Sequence, residues 1–171
     1  MDFNGKVILI TGGTGSFGQK FLETVLERYE PRKVIVFSRD ELKQDEMRLR
    51  LQSLKIKYYI GDIRDRNSVD DAMAGVDYVF HAAALKQVPT CEFFPMQATQ
   101  TNVMGSQNVI NSAISHGVSR VVSLSTDKAV YPVNALGITK ALMEKVVQSA
   151  SRKLSEGQTV LTLVRYGNVL F

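Results

Sequence analysis

The stretch whose reading decides the fold is Lys6-Val7-Ile8-Leu9-Ile10-Thr11-Gly12-Gly13-Thr14-Gly15-Ser16-Phe17-Gly18. A β-branched apolar run meets four glycines within seven residues, and helical spacing then begins at Phe17 and continues to Tyr29. Strand, sharp turn and helix follow in that order.

The same alternation repeats outward from this point. Short apolar runs at Lys33 to Ser38, Lys57 to Ile60, Tyr78 to His81, Arg120 to Leu124 and Val160 to Val164 read as further strands. Stretches with helical spacing separate them: Glu41 to Ser53, Ser68 to Met73, Ala98 to His116 and Ala135 to Lys153. Strands that are apolar throughout, joined by connections long enough to hold a helix, predict a parallel sheet covered on both faces. The expected class is α/β: a Rossmann-type, doubly wound parallel sheet with helices on both faces, residues 1–171 forming one domain.

Composition narrows the function. With 171 residues and 44% hydrophobic content, the chain has enough material for one real core. Its net charge of +4 is interspersed, not gathered into a basic arm, which favours an anionic small molecule over nucleic acid. The lone Cys91 can form no internal disulfide, His81 and His116 are too far apart in sequence for a metal motif, and a reducing, cytoplasmic setting is expected. Apolar runs reach only about half a dozen residues, so no membrane span is expected.

Gly13, Gly15 and Gly18 satisfy G-x-G-x-x-G directly after a strand, the context in which backbone amides at a helix N-terminus meet a pyrophosphate. Gly12, Thr14, Gly15, Ser16, Phe17 and Gly18 are the expected cofactor residues of this turn. After the second strand, Ser38, Arg39 and Lys43 stand where an NAD binder usually offers an acid. Arginine can fork onto phosphate oxygens and lysine adds a point charge, so the expected cofactor is NADP; a solvated basic helix start would read the same way. After the third strand, Asp62 and Ile63 are placed to meet adenine, and Ala82, Ala83 and Ala84 after the fourth let a ribose and nicotinamide come close, although tight packing alone would also favour such small residues.

The fifth strand ends in Ser125-Thr126-Asp127-Lys128, at the carboxyl edge where open α/β sheets bind ligands, and Lys140 follows on the next helix. Adjacent acid and base can serve proton transfer, and a surface ion pair would look alike.

Taken together, TGGTGSFG, FSRDELKQ, GDIRD, HAAALKQVP, TNVMGSQNVI, STDKAVYPVNALGITKALMEK and RYGNV resemble the extended short-chain dehydrogenase/reductase family. Within it the chain is most similar to inverting UDP-N-acetylglucosamine 4,6-dehydratases and to capsular polysaccharide enzymes described as UDP-sugar 4-epimerases. That resemblance implies first a 4,6-dehydratase, in which NADP takes the hydride from sugar C4, water is lost across C5 and C6 and the hydride returns to C6; the alternative is a 4-epimerase, in which the hydride returns to C4. It implies Asp127 as the acid, Lys128 as the base at C5, Thr126 as a sugar ligand and Lys140 at the nicotinamide ribose. It makes Asn168 a substrate-side residue and Asn102, opening the helix after the fourth strand, a structural one; Lys86, following the fourth strand, can meet UDP phosphates or sugar hydroxyls, and an exposed loop lysine would read the same way.

A UDP-sugar partner and a homo-oligomer are likewise implied, with Ile110, Ala113, Ile114, Leu142 and Val146 as candidates for an apolar association face, although packing within the chain explains them equally well. The family's helix tyrosine is replaced by Leu136, so another group must take the C4 hydroxyl proton, Tyr131 being one option. Relatives continue well beyond the sequence matched here, which leaves open a catalytically incomplete NADP-binding module.

Overall fold

The computed structural model describes residues 2–168. The order is β1 (Val7–Thr11), α1 (Ser16–Arg28), β2 (Lys33–Ser38), α2 (Glu41–Leu51), β3 (Ile56–Ile60), α3 (Arg66–Met73) and β4 (Tyr78–His81). There follow α4 (Val88–Phe93), α5 (Pro95–Thr99), α6 (Ser106–Ser115), β5 (Arg120–Thr126), α7 (Ala135–Ser151) and β6 (Val160–Tyr166). The six strands form one sheet in the order β3-β2-β1-β4-β5-β6, every pair parallel, so the order reverses between β1 and β4. Such a reversal opens a crevice at the carboxyl ends of the strands.

The apolar runs build two cores. On one face Leu22 and Val25 of α1 and Met47 of α2 pack on Ile8, Ile10, Val34 and Val36. On the other, Val69 and Met73 of α3 and Val109 and Ala113 of α6 pack on Leu9, Ile35, Phe37 and Val121. Successive strand residues point to opposite faces, which is why Ile8, Leu9 and Ile10 are all fully buried, each contributing about 1.5–3 kcal/mol. The edge strands depart from the expected uniform burial: in β6, Leu161 and Leu163 pack inward while Val160, Val164 and Tyr166 stay exposed.

Between β4 and β5 the structure differs from one long helix beginning at Ala98. Pro89 and Pro95 sit at helix starts, where a missing N–H costs nothing, and divide the segment into α4, α5 and a π-helical turn at 100–105 that runs into α6. Asn102 lies inside that turn, fully buried, and so does not open a helix. The association face is also revised. Ile110 and Ala113 are fully buried, while Ile114 and Val146 pack against the Ile110–Met143–Val147 cluster joining α6 to α7; of the five candidates only Leu142 is exposed. Among the described residues no helix is long and apolar enough to cross a membrane and no group of side chains is arranged to hold a metal ion.

Candidate nucleotide and sugar site

Gly12 ends β1 with φ +67, and a Cβ there would lie 2.8 Å from the Ala83 backbone, so only glycine lets the first turn pass this close to the end of β4. Helix α1 starts immediately afterwards. Its N-cap, Gly15, offers no side-chain acceptor, and its first turn carries no acidic residue. The leading N–H groups therefore remain available to an anion at the positive end of the helix dipole.

This turn borders a cleft of about 640 Å³, the size of a small-molecule site. Gly12, Thr14 and Gly15 line one wall; Ser38, Arg39 and Lys43 line the end of β2. Asp62 and Ile63 close the β3 side, and Ala82, Ala83, Ala84 and Lys86 form the β4 side. Twelve of the residues expected from sequence thus converge on one space. Ser16, Phe17 and Gly18 belong to the adjoining helix start but not to the cleft wall. Phe37, Asp40, Gly61 and Thr101 also line it, and each lies within a stretch that the sequence already singled out: FSRDELKQ, GDIRD or TNVMGSQNVI.

Several polar groups in this cleft already have partners. The Ser38 hydroxyl is 2.8 Å from that of Thr14 and accepts from the Asp40 amide at 3.0 Å, so it braces the first turn against β2. Asp40 caps α2 by accepting from the Lys43 amide, and Lys43 Nζ lies 3.0 Å from its second oxygen. Asp62 accepts from Arg64 Nε at 2.8 Å and Nη2 at 2.6 Å, with Arg39 3.6 Å away. Burial raises the Asp62 carboxyl, but the hydrogen bonds and charge of Arg64, with Arg39 behind it, outweigh burial and hold it below the ordinary range. The arginine fork takes much of the acceptor capacity expected to serve adenine, while four lone-pair sites leave room for one more donor.

The second cluster sits at the end of β5. Thr126 Oγ1 donates to Asp127 Oδ1 at 2.8 Å and accepts from the Lys128 amide at 3.3 Å. Lys128 Nζ donates to Asp127 Oδ1 and to Asn168 Oδ1, both at 3.2 Å. The Thr126 hydroxyl, and then Lys128, hold the Asp127 carboxyl below its ordinary range, so the free protein carries it ionised at neutral pH. Gly137 of α7 packs directly on the Lys128 carbonyl, where any side chain would collide.

Lys140 lies on α7 behind this cluster, 7% exposed, with Nζ donating to the Leu124 carbonyl at 2.7 Å. Burial pushes its ammonium down to about 8, against the opposing pull of Glu144. Leu136 lies one turn before Lys140 on α7. It is buried with Cys91 and Ala98, against Leu85 and Val88. Tyr131 is 93% exposed at φ +48. Val169, the last residue of the RYGNV motif, lies outside the described residues.

A parallel sheet with a glycine turn at its reversal point, and an acid–lysine pair at the same edge, define a nucleotide-binding α/β protein of the short-chain dehydrogenase type. The chain belongs to the polysaccharide biosynthesis protein family, whose model matches residues 8–171.

Over 98% of its length it is 56% identical to a UDP-glucose 4-epimerase of Rickettsia felis, of which it covers 50%. Pen from Bacillus thuringiensis superposes with a TM-score of 0.96 at 43% identity, covering 99% of this chain and 52% of that one. DesIV, a dTDP-glucose 4,6-dehydratase from Streptomyces venezuelae solved with NAD and TYD, superposes at 0.82 with 26% identity, covering 93% of this chain and 55% of that one. The chain therefore spans about half the length of the curated relatives it matches.

Proposed function

We propose that this chain supplies the cofactor half of an enzyme that oxidises a UDP-sugar transiently at C4 and returns the hydride there, a UDP-sugar 4-epimerase. The observation that supports the proposal is a cleft lined by the glycine turn and the ends of β2, β3 and β4, with Thr126, Asp127 and Lys128 at the end of the neighbouring β5 and Lys140 buried behind them, these four standing outside the cleft wall. The identity of 56% to a protein called UDP-glucose 4-epimerase supports the same direction.

The residues present fit a nicotinamide dinucleotide. The N–H groups at the start of α1 suit its pyrophosphate. NADP is favoured over NAD because two exposed cations, Arg39 and Lys43, stand at the end of β2, and each can exchange its present carboxylate, Asp62 or Asp40, for a 2′-phosphate. Nicotinamide, when bound, accepts a hydride and gives it back.

Lys140 holds the nicotinamide ribose, while Lys86 and Asn168 hold the sugar nucleotide. With Leu136 turned into an apolar cluster, the ionised Asp127 takes the C4 hydroxyl proton through the Thr126 hydroxyl bonded to it.

The adjacency of Asp127 and Lys128 favours a second reading, 4,6-dehydration, with UDP-N-acetylglucosamine as substrate. Expelling the C6 hydroxyl needs an acid and removing the C5 proton needs a base, and one ion pair can supply both. UDP-glucose and UDP-N-acetylglucosamine incubated with the natural full-length protein and NADP+ separate the readings. A product of unchanged mass with an inverted C4 proton signal supports epimerisation; loss of one water supports dehydration; no turnover of either sugar overturns both.

A further inference from the structure

Glu144 is a buried carboxylate that neither reading uses. It lies on α7 one turn beyond Lys140 and is 4% exposed. Its Oε1 accepts from the Ser125 hydroxyl at 2.5 Å and from Arg165 Nε at 2.9 Å, and its Oε2 accepts from Arg165 Nη2 at 2.6 Å. Arg165 and the Ser125 hydroxyl hold this carboxyl below its ordinary range against the effect of burial.

The two donors are register partners. Ser125 of β5 pairs with Arg165 of β6, and Thr126 with Tyr166 is the last pair of the sheet. Among the described residues, no ladder pair beyond it sets the relative position of the two segments. The next residues are Asp127 and Lys128 on one side, and Gly167 and Asn168 on the other. Lys128 Nζ nevertheless reaches Asn168 Oδ1, and a Cβ on Gly167 would stand 3.7 Å from Asp127 Oδ2. A slip of one residue at the sheet end would exchange the faces of β6 and carry Asn168 away from Lys128.

We propose that Glu144 is the positioning residue of this site: by bonding Ser125 and Arg165 at once, it fixes the β5–β6 register where backbone pairing ends, so that Lys128 and Asn168 converge. The proposal rests on reading Asp127, Lys128 and Asn168 as the reacting end of the site. A forked, charge-assisted pair fits this task because it constrains direction as well as distance.

The test reads the side-chain amide signals of Asn168 by NMR, with Lys128→Met marking where those signals lie when the contact is absent. Glu144→Gln preserves shape and the acceptor for Ser125 but loses the charge and one arm of the fork. Arg165→Lys removes the fork from the other side. Both variants are expected to move the Asn168 signals most of the way to the Lys128→Met position. In the natural full-length protein, kcat should fall by about 10- to 100-fold with little change in substrate KM. Asn168 signals unchanged in both variants, even with a lowered melting temperature, overturn the proposal. A wild-type protein that turns over no nucleotide sugar overturns the proposed reaction alone, because the amide signals still decide the role of Glu144.

Discussion

The Thr11 hydroxyl lies 2.7 Å from His81 Nδ1, joining β1 to β4 inside the sheet. On the other side of the ring, Nε2 is 2.8 Å from the Ser106 hydroxyl, which itself donates to the Asn102 carbonyl at 2.7 Å. Because Ser106 spends its proton there, it accepts from His81 Nε2–H; Nδ1 is then the acceptor and Thr11 the donor. The Thr11 oxygen in turn accepts from the Ala83 amide at 3.3 Å, while Asn102 accepts from the Leu85 amide at 2.8 Å and donates to the Leu85 carbonyl at 3.0 Å. The segment forming the β4 wall of the cleft is therefore suspended from both ends by one chain of hydrogen bonds.

Thr11→Val deletes the hydroxyl without changing volume and leaves both the Ala83 amide and His81 Nδ1 without a partner. The expected result is a loss of about 1–3 kcal/mol in stability and roughly tenfold weaker dinucleotide binding, both recovered in Thr11→Ser. Chemical denaturation and calorimetric titration with NADP+ check the two effects. Equal affinity in Thr11→Val would remove the network from any part in shaping the cleft.

His81 makes a separate demand on pH. Burial, and then the charge of Lys140, push its imidazole down to about 3 from 6.5. A base whose folded value is depressed is protonated only in the unfolded chain between those two values. Its contribution is therefore complete above pH 6.5 and is lost as pH falls towards 3, at about 1.4 kcal/mol per pH unit. Urea unfolding at pH 7, 6 and 5 should show that slope in the wild type and a shallower one in His81→Gln.

Much of this was legible in the sequence, and the rest was not, for physical reasons. Thr11 to Gly18 gave the first crossover and the cleft because a glycine turn after an apolar strand has few other uses. Pro89 and Pro95 stand at the starts of α4 and α5, but those helices of six and five residues are too short for helical spacing to show. Glu144 and Arg165 were invisible as a pair, since 21 positions separate them and only the β5–β6 register brings them together. Leu136 could be seen to replace a tyrosine, yet its turn towards Cys91 and Ala98 depends on α4 and α5, which periodicity did not find.

Cofactor preference should follow the exposed cations after β2. Arg39 is 58% exposed and Lys43 56%, each facing a carboxylate it could exchange for a phosphate. Replacing both with serine is expected to weaken NADP+ binding by about 10- to 100-fold, a loss of about 1.4–3 kcal/mol, while leaving NAD+ within a few-fold. Dissociation constants for the two dinucleotides measure this directly. A parallel loss for both would assign these side chains to the common part of the cofactor.

The Leu136 site should resist restoration of the aromatic residue. Leu136 is 5% exposed within an apolar cluster, so Leu136→Tyr places a hydroxyl among Cys91, Ala98 and Val88 without a partner. A destabilisation of about 1–3 kcal/mol is expected, against less than about 1.5 for Leu136→Met, which keeps volume and polarity. Thermal melts compare them. Should Leu136→Tyr be as stable as the wild type and more active, the side chain at this position faces the site after all.

Lys140 opposes function to stability. Its ammonium is buried and brought down to about 8 from 10.5, so between those values the unfolded chain binds the proton more tightly. Stability accordingly rises as pH climbs from about 8 to 10.5, and at neutral pH the folded state bears a cost of about 3 kcal/mol for the buried charge. Lys140→Met removes that charge at similar volume, although it also frees the Leu124 carbonyl and the negative charge of Glu144. The net expectation at pH 7 is a gain of about 1–2 kcal/mol, which for a domain of this size raises the melting temperature by about 2–8 °C. The gain should vanish at about pH 9 and turn into a loss by about pH 10, where the wild-type lysine is neutral and the variant keeps only the unpartnered Leu124 carbonyl and Glu144 charge, and NADP+ binding should weaken about tenfold at every pH. Melting curves at pH 7 and 10 with a parallel titration decide it: a variant less stable than the wild type at pH 7 would mean that the hydrogen bond to Leu124 outweighs the cost of burying the charge.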